Sequence, residues 1–261
     1  MSDAGVTDLD RVSPSGWRTG LSNLMGPAFG VWWRTSNWWI QSLLWTFVIN
    51  GSLAVVIWGD APDEIDLFSL YGIMTMFAAI AVAIIMQEEI VGEKRSGTAA
   101  WVLSKPVSRP AFLTSKLVPN AIGVVATMIV IPSVVLLVHL MVAGVDVSIP
   151  RFAGGASVAA LNLLFYLTLT LMLGTLFDSA GPVIAIPLAI AFGQQLLGSL
   201  PDLLALLPWA LVVPVGGADV SDVSAIIAGD PVPSPGAIVT TSVACVVFTV
   251  VAYWKWNRTE L

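Results

Sequence analysis

The chain has 261 residues, of which 57% are hydrophobic and 11% charged, where a soluble domain carries roughly 25% charged residues. With a mean hydropathy of +0.88, the composition excludes an ordinary water-soluble enzyme and a disordered chain. A net charge of −6 offers no general basic patch for nucleic-acid phosphates, and one cysteine and one histidine exclude a disulfide framework, a multi-thiolate metal site and an imidazole cluster. What remains is an all-α polytopic membrane protein.

Residues 1–16 are polar and acidic, without the basic and apolar regions of a secretory signal, so insertion is expected to rely on the first span. Residues 17–33 carry Trp17, Leu21, Leu24, Met25, Ala28 and Trp32 at three- and four-residue steps, with Arg18, Ser22 and Asn23 facing away. That spacing predicts an amphipathic helix lying on the membrane, bent at Pro27. The domain division is a cytoplasmic segment over 1–37 and a membrane domain over 38–261.

Six stretches are long and apolar enough to cross the hydrocarbon: 39–58, 67–86, 118–142, 153–177, 182–200 and 236–254. None contains Asp, Glu, Lys or Arg. Ten of the eleven bases (Arg11, Arg18, Arg34, Lys94, Arg95, Lys105, Arg109, Lys116, Lys255, Arg258) fall on one side of that alternation, leaving Arg151 on the other. Both termini and the loop 87–117 are therefore expected to be cytoplasmic. The opposite side collects Asp60, Asp63, Glu64, Asp66, Asp146, Asp202, Asp219, Asp222 and Asp230. Residues 201–217 are apolar but broken by Pro201, Pro208 and Pro214, which predicts a short helix or re-entrant turn at the outer interface.

The loop 87–117 is the most informative segment. Charges are dense to Gly97, an apolar helical stretch follows over 99–103, and Pro106 and Pro110 stiffen a corner around Val107, Ser108 and Arg109. A second helix leads through Lys116 into the third span. Two readings stand: a protrusion that docks another protein, or a solvated positive-inside loop. Gly97 permits a tight helix approach or Thr98 caps the next helix. Glu93, Lys94 and Arg95 form a local ion-pair set or touch a partner. Arg109 offers a directional fork to an acidic surface.

The spans contain few polar groups. Asn50, Asn162, Gln194 and Gln195 either hydrogen-bond between helices or line a substrate path. His139, near the outer end of the third span, is an interfacial side chain or, with Met141, a substrate or copper contact. The spans lack the ionisable groups that an ion-coupled carrier needs.

Glu93, Gly97-Thr98, Leu103, Pro106-Val107-Ser108-Arg109 and Lys116, at this spacing between the second and third spans, resemble the signature of ABC-type export permeases of the second export class. Leu173-Gly174-Thr175-Leu176-Phe177 with Asp178-Ser179, and the aromatic-basic tail from Tyr253 through Arg258 and Glu260, extend the likeness. Where relatives carry a basic–acidic pair in the interfacial helix, Met25-Gly26-Pro27 stand here. The resemblance implies six helices per subunit in the cell membrane. It implies a pair of subunits, identical or paralogous, with two cytoplasmic ATPase subunits. The coupling element would be the loop 87–117, with Glu93, Gly97, Thr98, Pro106, Val107, Ser108 and Arg109 as its residues. The chain has no Gly-x-x-x-x-Gly-Lys-Ser/Thr segment, so ATP and Mg would be bound by the partner and the subunit itself would be non-catalytic. The alternatives are an assembly or maturation factor on the same scaffold, for example for a metal enzyme, and a membrane-embedded enzyme. The spans hold no His/Asp/Glu/Ser constellation for the last.

Overall fold

The computed structural model describes residues 16–59 and 66–259, with Gln195 described by its backbone only. Arg11, Asp60, Asp63, Glu64 and Glu260, and the side chain of Gln195, lie outside the described residues. All regular structure among the described residues is helical. In chain order the elements are α1 (Leu21–Trp33), α2 (Asn37–Trp58), α3 (Leu67–Arg95), α4 (Thr98–Leu103), α5 (Arg109–Val142), α6 (Ile149–Leu176), α7 (Ala180–Gly193), α8 (Pro201–Leu204), α9 (Trp209–Val212), α10 (Asp222–Ala228) and α11 (Pro235–Arg258). Five of them, α2, α3, α5, α6 and α11, are long and apolar enough to cross a membrane. The chain is therefore a helical membrane-embedded protein. The fifth predicted span is occupied by α7, whose 14 residues continue as a 3₁₀ turn over Gln194–Leu197.

Helix α6 is the hub. Its most apolar window is 67% buried, against 17% for α11, and α3, α10 and α11 all pack on it. Two long helices widen locally into π turns, at Glu88–Gly92 in α3 and Val125–Val130 in α5. The second has an evident cause. Pro132 has no N–H for the carbonyl one turn back and its ring crowds that carbonyl; a wider turn just before it relieves both. The Asn50 amide then donates to the Pro132 carbonyl at 3.1 Å, tying α2 to α5.

At the end of the bundle away from the loop 96–108, Asp66 caps α3, accepting from the backbone N–H of Phe68 (3.2 Å) and Ser69 (2.8 Å). It also accepts from the Ser224 hydroxyl of α10. Burial raises the Asp66 pKa, but these bonds, led by Ser224, outweigh it and hold the carboxyl below its ordinary value. Trp58 Nε1 donates to His139 Nε2 at 2.6 Å with the rings stacked, which assigns His139 the tautomer protonated on Nδ1. Met141 is exposed. Residues 201–217 form α8 and α9 with turns between them; Gln194 Oε1 accepts from the Trp209 N–H at 3.0 Å and fastens this segment to the end of α7.

Three expectations change. The loop 87–117 shortens to 96–108, because α3 runs two turns further and α5 begins at Arg109. The apolar stripe of α1 packs on α5: Trp32 is buried with its Nε1 donating to Asn120 Oδ1 at 2.9 Å, over Gly123, where any Cβ would lie 2.2 Å from the indole. Asp222, in the segment between α7 and α11, is not a surface charge. It is fully buried at the start of α10, a helix the sequence reading did not find.

Candidate functional site

The residues singled out between the second and third spans assemble at one end of the bundle, where α1, α3, α4, α5 and α11 meet. Ser108 starts this assembly. Its hydroxyl accepts from the Ala111 N–H at 3.2 Å, capping α5. The same hydroxyl donates to the Trp17 carbonyl, and the Ser108 N–H donates to the Thr19 carbonyl at 3.0 Å. The turn before α1, residues 16–20, thus lies along the corner. Gly20, at φ +76°, has Val107 so close that a Cβ would meet its Cγ2 at 2.8 Å.

Arg109 turns inward. Its Nη1 donates to the carbonyls of Trp256 (3.2 Å), Asn257 (3.2 Å) and Thr259. The last carbonyls of a helix have no partner within it and carry the negative end of its dipole. Arg109 therefore caps the C-terminus of α11; its Nη1 is directed into the protein. Trp256 stacks on Phe112 at 5.2 Å and Thr114 Oγ1 bonds Tyr253 Oη at 2.6 Å, so the whole last turn of α11 is seated on α5.

Lys94 does the same for α6. Its Nζ donates to the carbonyls of Thr175 and Phe177, each at 3.3 Å, and to Asp178 at 3.1 Å. Lys116 joins α5 to α3 through Glu89 (3.1 Å) and Glu93. A cavity of about 220 Å³ opens beside this trio, lined among others by Trp32, Glu88, Glu89, Glu93, Lys116 and Asn120. Glu93 Oε2 is buried in it without a hydrogen-bond partner. Among the described residues, no group of three or more His, Cys, Asp or Glu side chains is placed to hold a metal ion.

Gly97 is not at a close approach. A Cβ there would meet nothing within 4 Å; its φ of +73° ends α3 with its N–H on the Lys94 carbonyl at 3.2 Å, a conformation that favours glycine. Thr98 makes no cap; its hydroxyl bonds that of Ser96 at 2.9 Å. What the corner shows outward is Trp101, Ser104, Lys105 and Pro106, with the Lys105 ammonium 3.4 Å from the Trp101 ring centre. A groove of about 350 Å³ lined by Ala100, Leu103, Ser104, Val107 and Arg109 lies beside them.

The candidate substrate-path residues are not brought together. Asn50 bonds α5; Asn162 is buried in α6 with its Nδ2 unpartnered; Gln194 is spent on Ile190, Tyr166 and Trp209. Sequence reasoning missed the bracing by Trp17, Thr19 and Gly20, whose only local sign is the glycine ahead of the amphipathic stripe.

No curated protein matches the chain. The family model described as "Protein of unknown function (DUF2705)" matches residues 40–261, from α2 through α11, the corner and its bracing lysines and arginine included. The chain belongs to that family.

Proposed function

We propose that the chain is the permease subunit of an ATP-driven ABC-type exporter of the cell membrane. A separate pair of ATPase subunits would drive it by pushing on the α4 corner. In this reading α7 is the sixth crossing. Its helix and 3₁₀ turn together extend about 29 Å, near the roughly 30 Å of hydrocarbon. Both termini and the corner then face the cytoplasm, with the bases. Two copies, or the chain and a paralogue, enclose the path; this subunit is non-catalytic, and ATP and Mg belong to the partner.

The observation that carries the proposal is the bracing of the corner. Ser108 is bonded to the stretch before α1, Arg109 to the end of α11, and Lys116 to Glu89 and Glu93 of α3. A displacement of the corner reaches α1, α3, α5 and α11 together, and an exposed Trp101–Lys105–Pro106 surface is available to receive it. A topogenic loop needs its charges on one side but needs none of these bonds. Arg109 and Glu93 act as internal struts in this account; Trp101 and Lys105 make the contact.

The test is co-purification in mild detergent with the ATPase subunit. Trp101→Ala with Lys105→Glu should insert normally, keep its melting temperature, and lose the ATPase and its substrate-stimulated turnover. Equal recovery of the ATPase with the double variant would overturn the proposal.

A further inference from the structure

Helix α11 is the least buried of the long helices and presents one continuous outward stripe. Val239, Val243, Val246, Val250 and Trp254 follow one another at three- and four-residue steps, each between 54% and 63% exposed. Residues at that spacing share one helix face. One turn beyond Trp254 the same face ends in Arg258, whose guanidinium carbon lies 4.4 Å from the Trp254 ring centre. From Val239 to Trp254 the stripe runs about 22 Å, and its Val243–Trp254 part, about 16 Å, spans one leaflet of a hydrocarbon layer roughly 30 Å thick. An apolar face one leaflet long, then an indole, then a guanidinium, matches a phospholipid read from tail to headgroup.

A second pair of the same kind stands nearby. The Arg18 guanidinium carbon is 4.8 Å from the Trp17 ring centre, and both side chains are exposed. The Trp17 carbonyl is bonded to Ser108, while Arg109, the next residue, holds the carbonyls of Trp256, Asn257 and Thr259. Both cation–indole pairs are therefore carried by segments tied to adjacent residues of the same corner. A guanidinium laid on an indole keeps its edge N–H groups free for phosphate oxygens while the ring sits at headgroup depth.

We infer that the outward face of α11, with Trp254 and Arg258 and assisted by Arg18, is a binding site for an anionic phospholipid of the leaflet at this end of the bundle. A docked protein fits less well. Its contact surface would have to continue down a valine stripe that lies within the membrane. A second copy could cover the valines, but the two guanidinium groups would then meet their own counterparts.

The test uses the full chain reconstituted in nanodiscs of equal phosphatidylglycerol and phosphatidylcholine, extracted in mild detergent and weighed intact by native mass spectrometry. The retained lipid should be enriched in phosphatidylglycerol. Arg258→Gln should cut that enrichment about fivefold, and adding Arg18→Gln should cut it again, since each base near an anionic surface contributes about that factor. Arg95→Gln, an exposed base away from any indole, should leave it unchanged, and all variants should keep the parent melting temperature. Undiminished enrichment in the double variant would overturn the inference, as would an equal loss in Arg95→Gln. Two other results would also contradict it. One is a disulfide between copies at Val246→Cys in a Cys245→Ala background, which would make the face a subunit seam. The other is loss of a bound ATPase by the double variant with its lipid unchanged, which would make the arginines a protein contact. Because the nanodisc holds both lipids in both leaflets, the outcome does not depend on the orientation or on the transport proposal.

Discussion

The two ends of the bundle solve the same electrostatic problem with opposite charges. At the corner end, Lys94 holds the last carbonyls of α6 and Arg109 those of α11. At the other end, Asp66 holds the first N–H groups of α3, and Asp222 sits in the first turn of α10 with its Oδ1 accepting from the Ser234 N–H at 2.8 Å. Cations at C-termini and anions at N-termini each complement a helix dipole. Lys94, Arg109 and Asp66, members of the two unequal charge sets, are thus also helix caps. The exception fits the same rule: Arg151, the base on the acidic side, donates to the Ala228 carbonyl at 3.1 Å, the C-terminal end of α10. Burial varies from residue to residue at both ends: the Lys94 side chain is largely buried and Asp66 half-buried. Arg109 is partly exposed, whereas Asp222 is fully buried with its Oδ2 unpartnered.

The comparison can be broken most forcefully where α1 meets the corner end. Gly123→Val places side-chain atoms inside the Trp32 indole and should cost about 2–3 kcal/mol, read as a lowered melting temperature with α1 newly open to proteolysis. Arg109→Ala strips three carbonyls of their partner and should cost about 2 kcal/mol. Its signature is faster hydrogen exchange confined to the last turn of α11; a fall in stability without that local change would mean Arg109 acts elsewhere.

The end away from the corner gives a pH test. Burial pushes the Asp222 carboxyl up from 3.8 to about 6, the Ser234 N–H working against it. A raised carboxyl pKa means the folded state holds the proton more tightly than the unfolded one, so stability falls as pH rises through that window. Asp222→Asn keeps the acceptor for Ser234 and removes the titration. The parent minus variant difference should therefore favour the variant increasingly from pH about 4 to about 6 and level off above. Asp66 runs the other way, its contribution being lost as pH falls below its ordinary value. A flat difference for Asp222→Asn would mean the carboxyl is solvated. The smallest effect belongs to Gly97. Since only its φ of +73° demands glycine, Gly97→Ala and Gly97→Leu, neither of them β-branched, should cost about 1 kcal/mol each; a much larger loss for leucine would restore the close approach expected from the sequence.

Much of the bundle is legible in the chain because a crossing helix is a composition problem. Five of the six long apolar runs match long helices, although α3 and α5 each extend nine residues beyond theirs beside the 96–108 loop, and the α1 stripe follows from local spacing. The site is legible as a place but not as a mechanism. Arg109 reads as a fork for a partner because its acceptors lie about 150 residues away. Lys94 reads as part of a local ion cluster because Thr175 and Phe177 lie about 80 residues away in sequence. Gly97 reads as a packing glycine because the sequence cannot distinguish a missing side chain from a required dihedral angle. Helix α10 escapes because seven residues are too few for a period, leaving only Ser221 before it and Gly229 after it as signs.

In the proposed function the exposed corner meets an ATPase while the opposite end does not. A photo-cross-linking residue placed at Trp101, and separately at Trp58 on the opposite end, tests it in intact cells. The account predicts that Trp101 captures an ATP-binding polypeptide and that Trp58 does not. Capture of no ATP-binding chain from position 101, or capture of the same chain from both positions, would contradict it.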